Sequence, residues 1–203
     1  MLNNKLNIDN FVELSREEER ITKIKALELF DVGKLSEYGS GTFKGLSQIH
    51  YYLFSDIYDF AGKIRIENLS KGNFRFVPAM YLEEALNKID LMPQSSFDEI
   101  IKKYIEMNVA HPFREGNGRS TRIWLDMILK NEIGKVVDWG KIDKEEYLLA
   151  MERSPIKDTE INILLSSALT DKINDRDVYM KGIDASYQIE GYNVYTMEEL
   201  DKK

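Results

Sequence analysis

Apolar side chains recur every three or four residues along most of the chain, the spacing that places them on one face of an α-helix. The first such stretch carries Ile21, Ile24, Leu27 and Phe30 and stops before Gly33. The pattern predicts helices over residues 10–30, 46–60, 81–89, 96–110, 119–130, 144–151 and 159–169.

One stretch departs from this helical pattern. Residues 64–67 and 74–77 alternate in polarity, and a turn-forming cluster with one glycine lies between them at residues 68–73. Alternation on both sides of such a turn is typical of a β-hairpin. The predicted fold is therefore all-α with one small β-hairpin.

The composition is typical of a soluble globular protein. Of its 203 residues, 43% are hydrophobic and 31% are charged, which predicts a single domain over residues 1–203. The net charge of −7 disfavours nucleic acid and anionic membranes as partners, so any phosphate site has to be local.

Targeting and redox features are also absent from the sequence. No window approaches the ~18 apolar residues of a membrane span, and the first residues lack a signal-peptide pattern. The chain has no cysteine, which excludes disulfides and thiolate metal sites. We expect a cytoplasmic protein.

Candidate chemistry is concentrated in residues 111–122. Pro112 ends the preceding helical pattern, so His111 opens a loop. An imidazole is the side chain best suited to accept a proton near neutral pH. His111 is therefore the candidate general base.

The loop leads into the next helix through Gly116, Asn117 and Gly118. The first N–H groups of a helix lack internal partners and carry partial positive charge, and glycine lets a phosphate approach the backbone closely. The start of this helix is therefore a predicted anion site.

Three charged side chains complete the set. Arg119 and Arg122 share a helical face and can offer two guanidinium groups to a polyphosphate. Glu115 offers a hard oxygen ligand for the Mg²⁺ that accompanies ATP. Singly, His111 could be a structural histidine, Glu115 a solvated charge and residues 116–118 a turn. Together they indicate attack of a hydroxyl on a phosphoryl phosphorus.

Residues 111–122 have the sequence His-Pro-Phe-Arg-Glu-Gly-Asn-Gly-Arg-Ser-Thr-Arg. At every defined position this resembles the signature His-x-Phe-x-Glu-Gly-Asn-Gly-Arg-x-x-Arg of Fic-domain proteins. Residues 49–65 are similar to the helix that leads to the β-hairpin flap of that family. The resemblance implies a helical Fic core over about residues 43–170 that transfers AMP from ATP to a serine, threonine or tyrosine hydroxyl of a target protein.

The resemblance also implies how the loop acts on the target. His111 would deprotonate the target hydroxyl, Glu115 would hold Mg²⁺, and Phe113 would anchor the loop in the core. A branch of the family that transfers a phosphoryl group instead has a lysine in place of Gly118, so Gly118 argues against that activity.

Nucleotide contacts are implied in the same way. Asn117, with the backbones of Gly116 and Gly118, would bind the α-phosphate. Arg119 and Arg122 would receive the β- and γ-phosphates. The hairpin would be the flap, which pairs with a target segment by strand addition. Its implied docking residues are Ile64, Arg65, Ile66, Lys71, Gly72, Asn73, Phe74, Arg75 and Phe76.

Residues 184–191 predict a short terminal helix that Asp184 could cap and Gly191 could end. From spacing alone it is a plain helix with an exposed glutamate. However, Ser186, Glu190 and Gly191 resemble the Ser-x-x-x-Glu-Gly inhibitory motif of small Fic proteins. The resemblance implies that Glu190 pairs with Arg122 and excludes the γ-phosphate of ATP.

Several alternatives stay open. Glu190 could instead orient water for hydrolysis of an AMP–protein bond, with Mg²⁺ or the larger Ca²⁺ at Glu115 setting the direction. A nucleotide-sensing module without turnover is a rival from another class, although the complete set in residues 111–122 weighs against it. A zinc hydrolase is disfavoured because His50 is the sole other histidine. The resemblance also allows self-association and self-modification.

Overall fold

The computed structural model describes residues 2–72 and 74–202. Within these ranges the α-helices are α1 (Phe11–Asp31), α2 (Phe43–Phe54), α3 (Leu82–Asp90), α4 (Phe97–Ala110), α5 (Asn117–Ile133), α6 (Lys144–Arg153), α7 (Thr159–Ser167), α8 (Arg176–Ile189) and α9 (Met197–Asp201). Short 3₁₀ turns lie at Lys34–Glu37, Ala79–Tyr81 and Trp139–Lys141. The prediction of an all-α fold with a small β element is confirmed.

Helix α5 lies at the centre of the core. It packs against α2, α4 and α8, and its Trp124, Leu125, Ile128 and Leu129 are fully buried. Burial of such large apolar side chains is the main favourable contribution to folding. Because α5 follows directly from the loop at residues 111–116, this packing fixes one end of that loop.

The strands are much shorter than the predicted hairpin. β1 (Ser70–Lys71) pairs antiparallel with β2 (Phe74–Arg75), while β3 (Val136–Val137) and β4 (Leu169–Thr170) form a second two-residue ladder that the sequence did not predict. Residues 64–67 form no strand. The arms of the hairpin are also tied to the end of α4 and to the loop, since the N–H groups of Val77 and Arg65 donate to the carbonyls of Val109 and Pro112.

The predicted apolar face of α1 is only partly correct. Leu27 is buried, but Ile21, Ile24 and Phe30 are partly exposed. The buried face also holds charged and polar side chains that contact the C-terminal part of the chain: Glu18, Glu19, Thr22 and Lys23.

The predicted terminal helix begins earlier than expected. Helix α8 starts at Arg176, and the side chain of Asp175, not Asp184, caps it by accepting from the N–H of Val178. Asp184 lies inside the helix, where its carboxylate accepts from the N–H of Met197 at 3.0 Å. Gly191 follows the helix end with a positive φ of 93°, which only glycine adopts without strain.

No helix within the described ranges is both long enough and apolar enough to span a bilayer.

Candidate active site

The loop between α4 and α5 starts at a residue with unusual backbone geometry. His111 follows the last residue of α4 with a φ of 50°, in the left-handed region that non-glycine residues rarely enter. The guanidinium of Arg65 holds this conformation by donating to the carbonyl of His111 at 2.7 Å and to that of Ala110 at 3.1 Å. The backbone bend at His111 is therefore fixed from the hairpin side.

The imidazole of His111 is neutral near pH 7. Burial lowers the pKa of His111 to about 4, and the nearby charges of Arg65 and Lys71 also lower it, against the opposing effects of the Glu190 carboxylate and a bond to the Asn108 backbone. Its ring stacks on that of Phe76 with 3.8 Å between centroids. A neutral, oriented imidazole can accept a proton, as a general base must.

Asn117 shapes the loop from its other end. Its side chain accepts from the N–H of Phe113 at 2.8 Å and donates to the carbonyl of Phe113 at 2.7 Å. Phe113 itself is fully buried. The amide oxygen and one of the two N–H groups of the Asn117 side chain are engaged in this way, which leaves its second N–H for the α-phosphate.

His50 of α2 packs against the loop and bonds to its backbone, a role that the sequence pattern did not reveal. Its Nε2 lies 2.8 Å from the carbonyl of Glu115, and its Nδ1 accepts from the N–H of Gly62 at 2.9 Å. The ring stacks on Phe113 with centroids 3.8 Å apart. Burial lowers the pKa of His50 to about 3, so a neutral imidazole links α2 to the loop.

The N-terminus of α5 is a place where an anion can reach the backbone. Gly116 precedes it with a φ of 75°, and a Cβ there would lie 2.3 Å from the ring of Phe54. Within the described part of the chain, the N–H groups of Asn117, Gly118 and Arg119 donate to no protein acceptor. These groups carry the partial positive charge of the helix terminus.

Glu190 reaches this helix terminus from the end of α8. Its Oε1 accepts from Nη2 of Arg122 at 2.6 Å and its Oε2 accepts from Nε of Arg119 at 3.0 Å. The resemblance implied a pair with Arg122 alone, so the contact with Arg119 is an addition. Burial by itself would raise the pKa of Glu190, but the charges of Arg122 and Arg119 outweigh it and lower the pKa below its ordinary value.

Arg122 is turned towards α8. Its Nε donates to Oγ of Ser186 at 2.7 Å and its Nη2 donates to the Ser186 carbonyl at 2.9 Å. Ser186 and Glu190 therefore bind the same guanidinium, and Arg122 is only 4% exposed. In this arrangement Nε and Nη2 of Arg122 are both engaged by residues at the end of α8.

Arg119 is fully buried among three carboxylates. Besides Glu190, its Nη2 lies 3.2 Å from Oε1 of Glu115, and its Nη1 lies 2.7 Å from Oε1 of Glu18, at an angle too poor for a hydrogen bond. Glu18 comes from α1 and was not among the predicted site residues. Its signal in the sequence was an unbroken run of charges, which looks like a solvated helix face.

Glu115 retains an accessible carboxylate oxygen. Its Oε1 accepts from the N–H of Gly116 and from Arg119, whereas no bond to Oε2 exists within the described ranges, and the side chain is 40% exposed. Burial raises the pKa of Glu115, against the effect of Arg119. Among the described residues, no group of three or more histidines and carboxylates can hold a metal by itself. A divalent cation here would need oxygens from a bound phosphate.

The predicted docking residues of the hairpin differ in their exposure to solvent. Ile66, Lys71, Gly72 and Arg75 are exposed. Ile64, Phe74 and Phe76 are partly buried, and Asn73 lies outside the described residues. Arg65 is a correction, because it is 4% exposed and its guanidinium is taken up by main-chain carbonyls. It stabilises the base of the hairpin and cannot contact a target.

Comparison with known proteins gives the family of this chain. The sequence model of the Fic/DOC family matches residues 42–129. The probable protein adenylyltransferase y4lH of Sinorhizobium fredii is 30% identical over 166 residues, which is 76% of this chain and 83% of that protein. The chain belongs to the Fic/DOC family. Residues Glu18 and Glu190 lie outside the part that matches the family model.

This Fic/DOC chain covers different shares of two further relatives. Protein adenylyltransferase VbhT of Bartonella schoenbuchensis is 29% identical over 211 residues, which is 98% of this chain but only 41% of VbhT. The chain thus spans less than half of that relative. The crystal structure of BepC from Bartonella tribocorum with bound AMPPNP has a TM-score of 0.70 at 19% identity, with 84% of this chain and 92% of that chain covered. This likeness confirms the Fic-type helical fold.

Proposed function

We propose that this chain is a protein adenylyltransferase, which transfers AMP from ATP to a hydroxyl of a target protein. The observation that carries the proposal is the convergence of a neutral His111, the free N–H groups that begin α5, and two arginines on the carboxylate of Glu190. A carboxylate bound in this way occupies a place that suits phosphate oxygens. The names of the relatives y4lH and VbhT point to the same activity.

In the proposed reaction, the oxygen of the target hydroxyl attacks the α-phosphorus of ATP. A ring nitrogen of His111 takes the hydroxyl proton, a new P–O bond joins AMP to the target, and the bond between the α-phosphorus and the bridging oxygen breaks. Pyrophosphate leaves with the electron pair. The backbone N–H groups of Asn117 and Gly118 stabilise the charge on the α-phosphate oxygens.

Glu115 is the side chain that fits a divalent cation in this scheme. Its Oε2 makes no bond within the described ranges, and a carboxylate oxygen is the ligand that Mg²⁺ prefers. The cation would neutralise charge on the phosphates that leave. Ca²⁺ has the same oxygen preference with a looser geometry, so both cations belong in the test.

The resting state is governed by Glu190. Its carboxylate engages Nη2 of Arg122 and Nε of Arg119, which are edges that could otherwise receive the β- and γ-phosphates. Its negative charge also repels those phosphates. The wild-type chain is therefore expected to transfer AMP slowly, to itself as well as to a target.

Hydrolysis of an AMP–protein bond is the second candidate function. It is favoured by the electrostatic interaction between the Glu190 carboxylate and His111, since a carboxylate at that place can orient a water molecule. In that case Glu190→Gly would abolish the release of AMP.

The test is intact-mass analysis after incubation with ATP and Mg²⁺ or Ca²⁺, for wild type, Glu190→Gly and the double variant Glu190→Gly with His111→Ala. Gain of AMP by Glu190→Gly, and none by the double variant, is the expected result. Binding of ATP without any gain of AMP in all three would favour a nucleotide-sensing module. Hydrolysis would be supported if protein that already carries AMP loses it when incubated with the wild type but not when incubated with Glu190→Gly.

A further inference from the structure

Helix α1 supplies a buried carboxylate to the candidate active site. Glu18 is 3% exposed, and its Oε1 lies 2.7 Å from Nη1 of Arg119. The hydroxyl of Tyr192 donates to the same oxygen at 3.0 Å, and the hydroxyl of Tyr58 donates to Oε2. Glu18 therefore has fixed partners from three different parts of the chain.

The guanidinium of Arg119 stays held on most sides without Glu190. The rings of Phe54 and Tyr192 lie 4.9 and 4.6 Å from its Cζ, and Glu115 contacts Nη2 at 3.2 Å. Only Nε is directed at Glu190. When Glu190 is replaced by an anion, one edge of Arg119 is exchanged while the rest of the side chain keeps its contacts.

We propose that Glu18 is a positioning residue, which holds Arg119 in place so that its Nε edge receives the polyphosphate of ATP once Glu190 has moved away. This inference rests on the proposed function, because it assigns Arg119 to the nucleotide. An arginine fixed beforehand loses less rotamer freedom when it binds. With Glu190 moved away and Glu18 absent, the remaining carboxylate at Arg119 is Glu115, 3.2 Å from Nη2, so Arg119 would draw Glu115 away from a cation.

Positioning and simple electrostatics predict opposite results here. Neutralising Glu18 removes one negative charge from the neighbourhood of the phosphates, which by Coulomb's law alone favours binding of ATP. Loss of the fixed Arg119 pose disfavours it. The direction of the change in affinity therefore distinguishes the two effects.

The experiment uses the Glu190→Gly protein as parent and adds Glu18→Gln, Glu18→Asp or the control Glu17→Gln. Glu17 is the adjacent glutamate on α1 and pairs with Arg20 near the solvent at 2.8 Å. Affinity for AMPPNP with Mg²⁺ is measured by calorimetry, alongside KM and kcat for AMP transfer. We expect Glu18→Gln to weaken AMPPNP and raise KM by about tenfold, Glu18→Asp to restore part of the affinity, and Glu17→Gln to change neither.

Unchanged or tighter binding of AMPPNP by Glu18→Gln would overturn the proposal. If Glu18→Gln does not fold, as judged by circular dichroism, Tyr192→Phe replaces it. That variant removes one hydrogen bond to Glu18 but keeps the ring over Arg119, and an affinity loss of about twofold is expected, while no loss counts against the proposal. Absence of AMP transfer in the Glu190→Gly parent would refute the proposed function, and the AMPPNP affinities would still test Glu18.

Discussion

Oε1 of Glu190 lies 2.1 Å from the point at which a side chain at Gly118 would begin. Gly118 is the second residue of α5 and does not have a positive φ, so its own backbone does not demand glycine. The space that the missing side chain leaves is filled by the carboxylate that also binds Arg122. The absence of a side chain at Gly118 is thus what lets Glu190 reach Arg122.

Substitution of Gly118 by alanine is expected to have an effect on stability that depends on Glu190. With Glu190 present, the added methyl displaces the carboxylate from its two arginines and costs about 1–3 kcal/mol of unfolding free energy. In Glu190→Gly the methyl meets only the flexible end of Arg122, 3.0 Å away, so alanine is neutral or stabilises by up to about 1 kcal/mol because it is the better helix former. Urea denaturation of the four proteins measures the coupling. Equal effects of Gly118→Ala in both backgrounds would contradict the contact.

The two histidines should make the protein less stable as pH falls, against the opposite effect of Asp126, whose pKa burial raises to about 7. Burial lowers the pKa of His50 to about 3 and that of His111 to about 4, below the ordinary value of 6.5. Between these values and pH 6.5 the unfolded histidines bind protons that the folded ones do not, so their contribution to the unfolding free energy falls as pH falls through this window. The loss from pH 7 to pH 5 is roughly 2 kcal/mol per histidine.

Urea titrations of wild type and His50→Gln at several pH values between 5 and 7 test this origin. The variant lacks one titrating group, so its slope of unfolding free energy against pH should be shallower by roughly half of the histidine contribution. An unchanged slope would show that His50 is not protonated on unfolding in this range.

Much of the site followed from sequence, because residues 111–122 form one continuous segment whose chemistry depends on local geometry. Pro112 ends α4, and the glycine at 116 begins α5, as local rules predict. The role of Asn117 was harder to predict. Sequence spacing does not distinguish an amide that bonds to its own loop from one that binds a ligand.

The contribution of α1 could not be predicted in this way. Lys23 and Glu19 find partners in Asp184 and Val194, more than 160 positions along the chain. Glu18 finds its partners in Tyr58, Arg119 and Tyr192, which are likewise far from one another in sequence. Hydrophobic periodicity assigns charged positions to solvent, so it chose the wrong part of the helix as the inner face. Pairing between distant segments has no local signal.

Asn117→Ala should disable the loop. The substitution removes both hydrogen bonds to the backbone of Phe113, at a site that is 4% exposed. The buried N–H and carbonyl of Phe113 are left without partners, which costs about 1–3 kcal/mol each in unfolding free energy before relaxation. AMPPNP affinity should fall in the Glu190→Gly background, because the backbone of α5 begins in this loop.

Thermal unfolding and calorimetry with AMPPNP measure these two effects of Asn117→Ala. Ser120→Ala is a useful comparison, since Ser120 also bonds within this region, to the carbonyl of Gly116 at 2.8 Å, but its loss leaves no N–H unpaired. If Asn117→Ala is as stable as wild type, the two hydrogen bonds between the Asn117 side chain and the Phe113 backbone do not stabilise the loop.

Lys23→Met should loosen the C-terminal segment from α1. The ammonium of Lys23 is 1% exposed, lies 3.2 Å from Glu19 and 2.8 Å from Asp184, and donates to the carbonyl of Tyr195. Methionine fills the same volume but leaves the Glu19 carboxylate buried without a cation, which costs about 3–5 kcal/mol. The matched control Lys25→Met removes a partly exposed lysine, for which about 0–1 kcal/mol is expected.

Two measurements separate local from global loosening in Lys23→Met. Urea denaturation gives the unfolding free energy, and limited proteolysis reports cleavage within residues 192–201 under native conditions. Because Glu19 also accepts from the N–H groups of Val194 and Tyr195, its displacement should expose this segment first. Cleavage there that is no faster than in Lys25→Met would mean that α9 and its burial of Met197 hold the segment without the lysine.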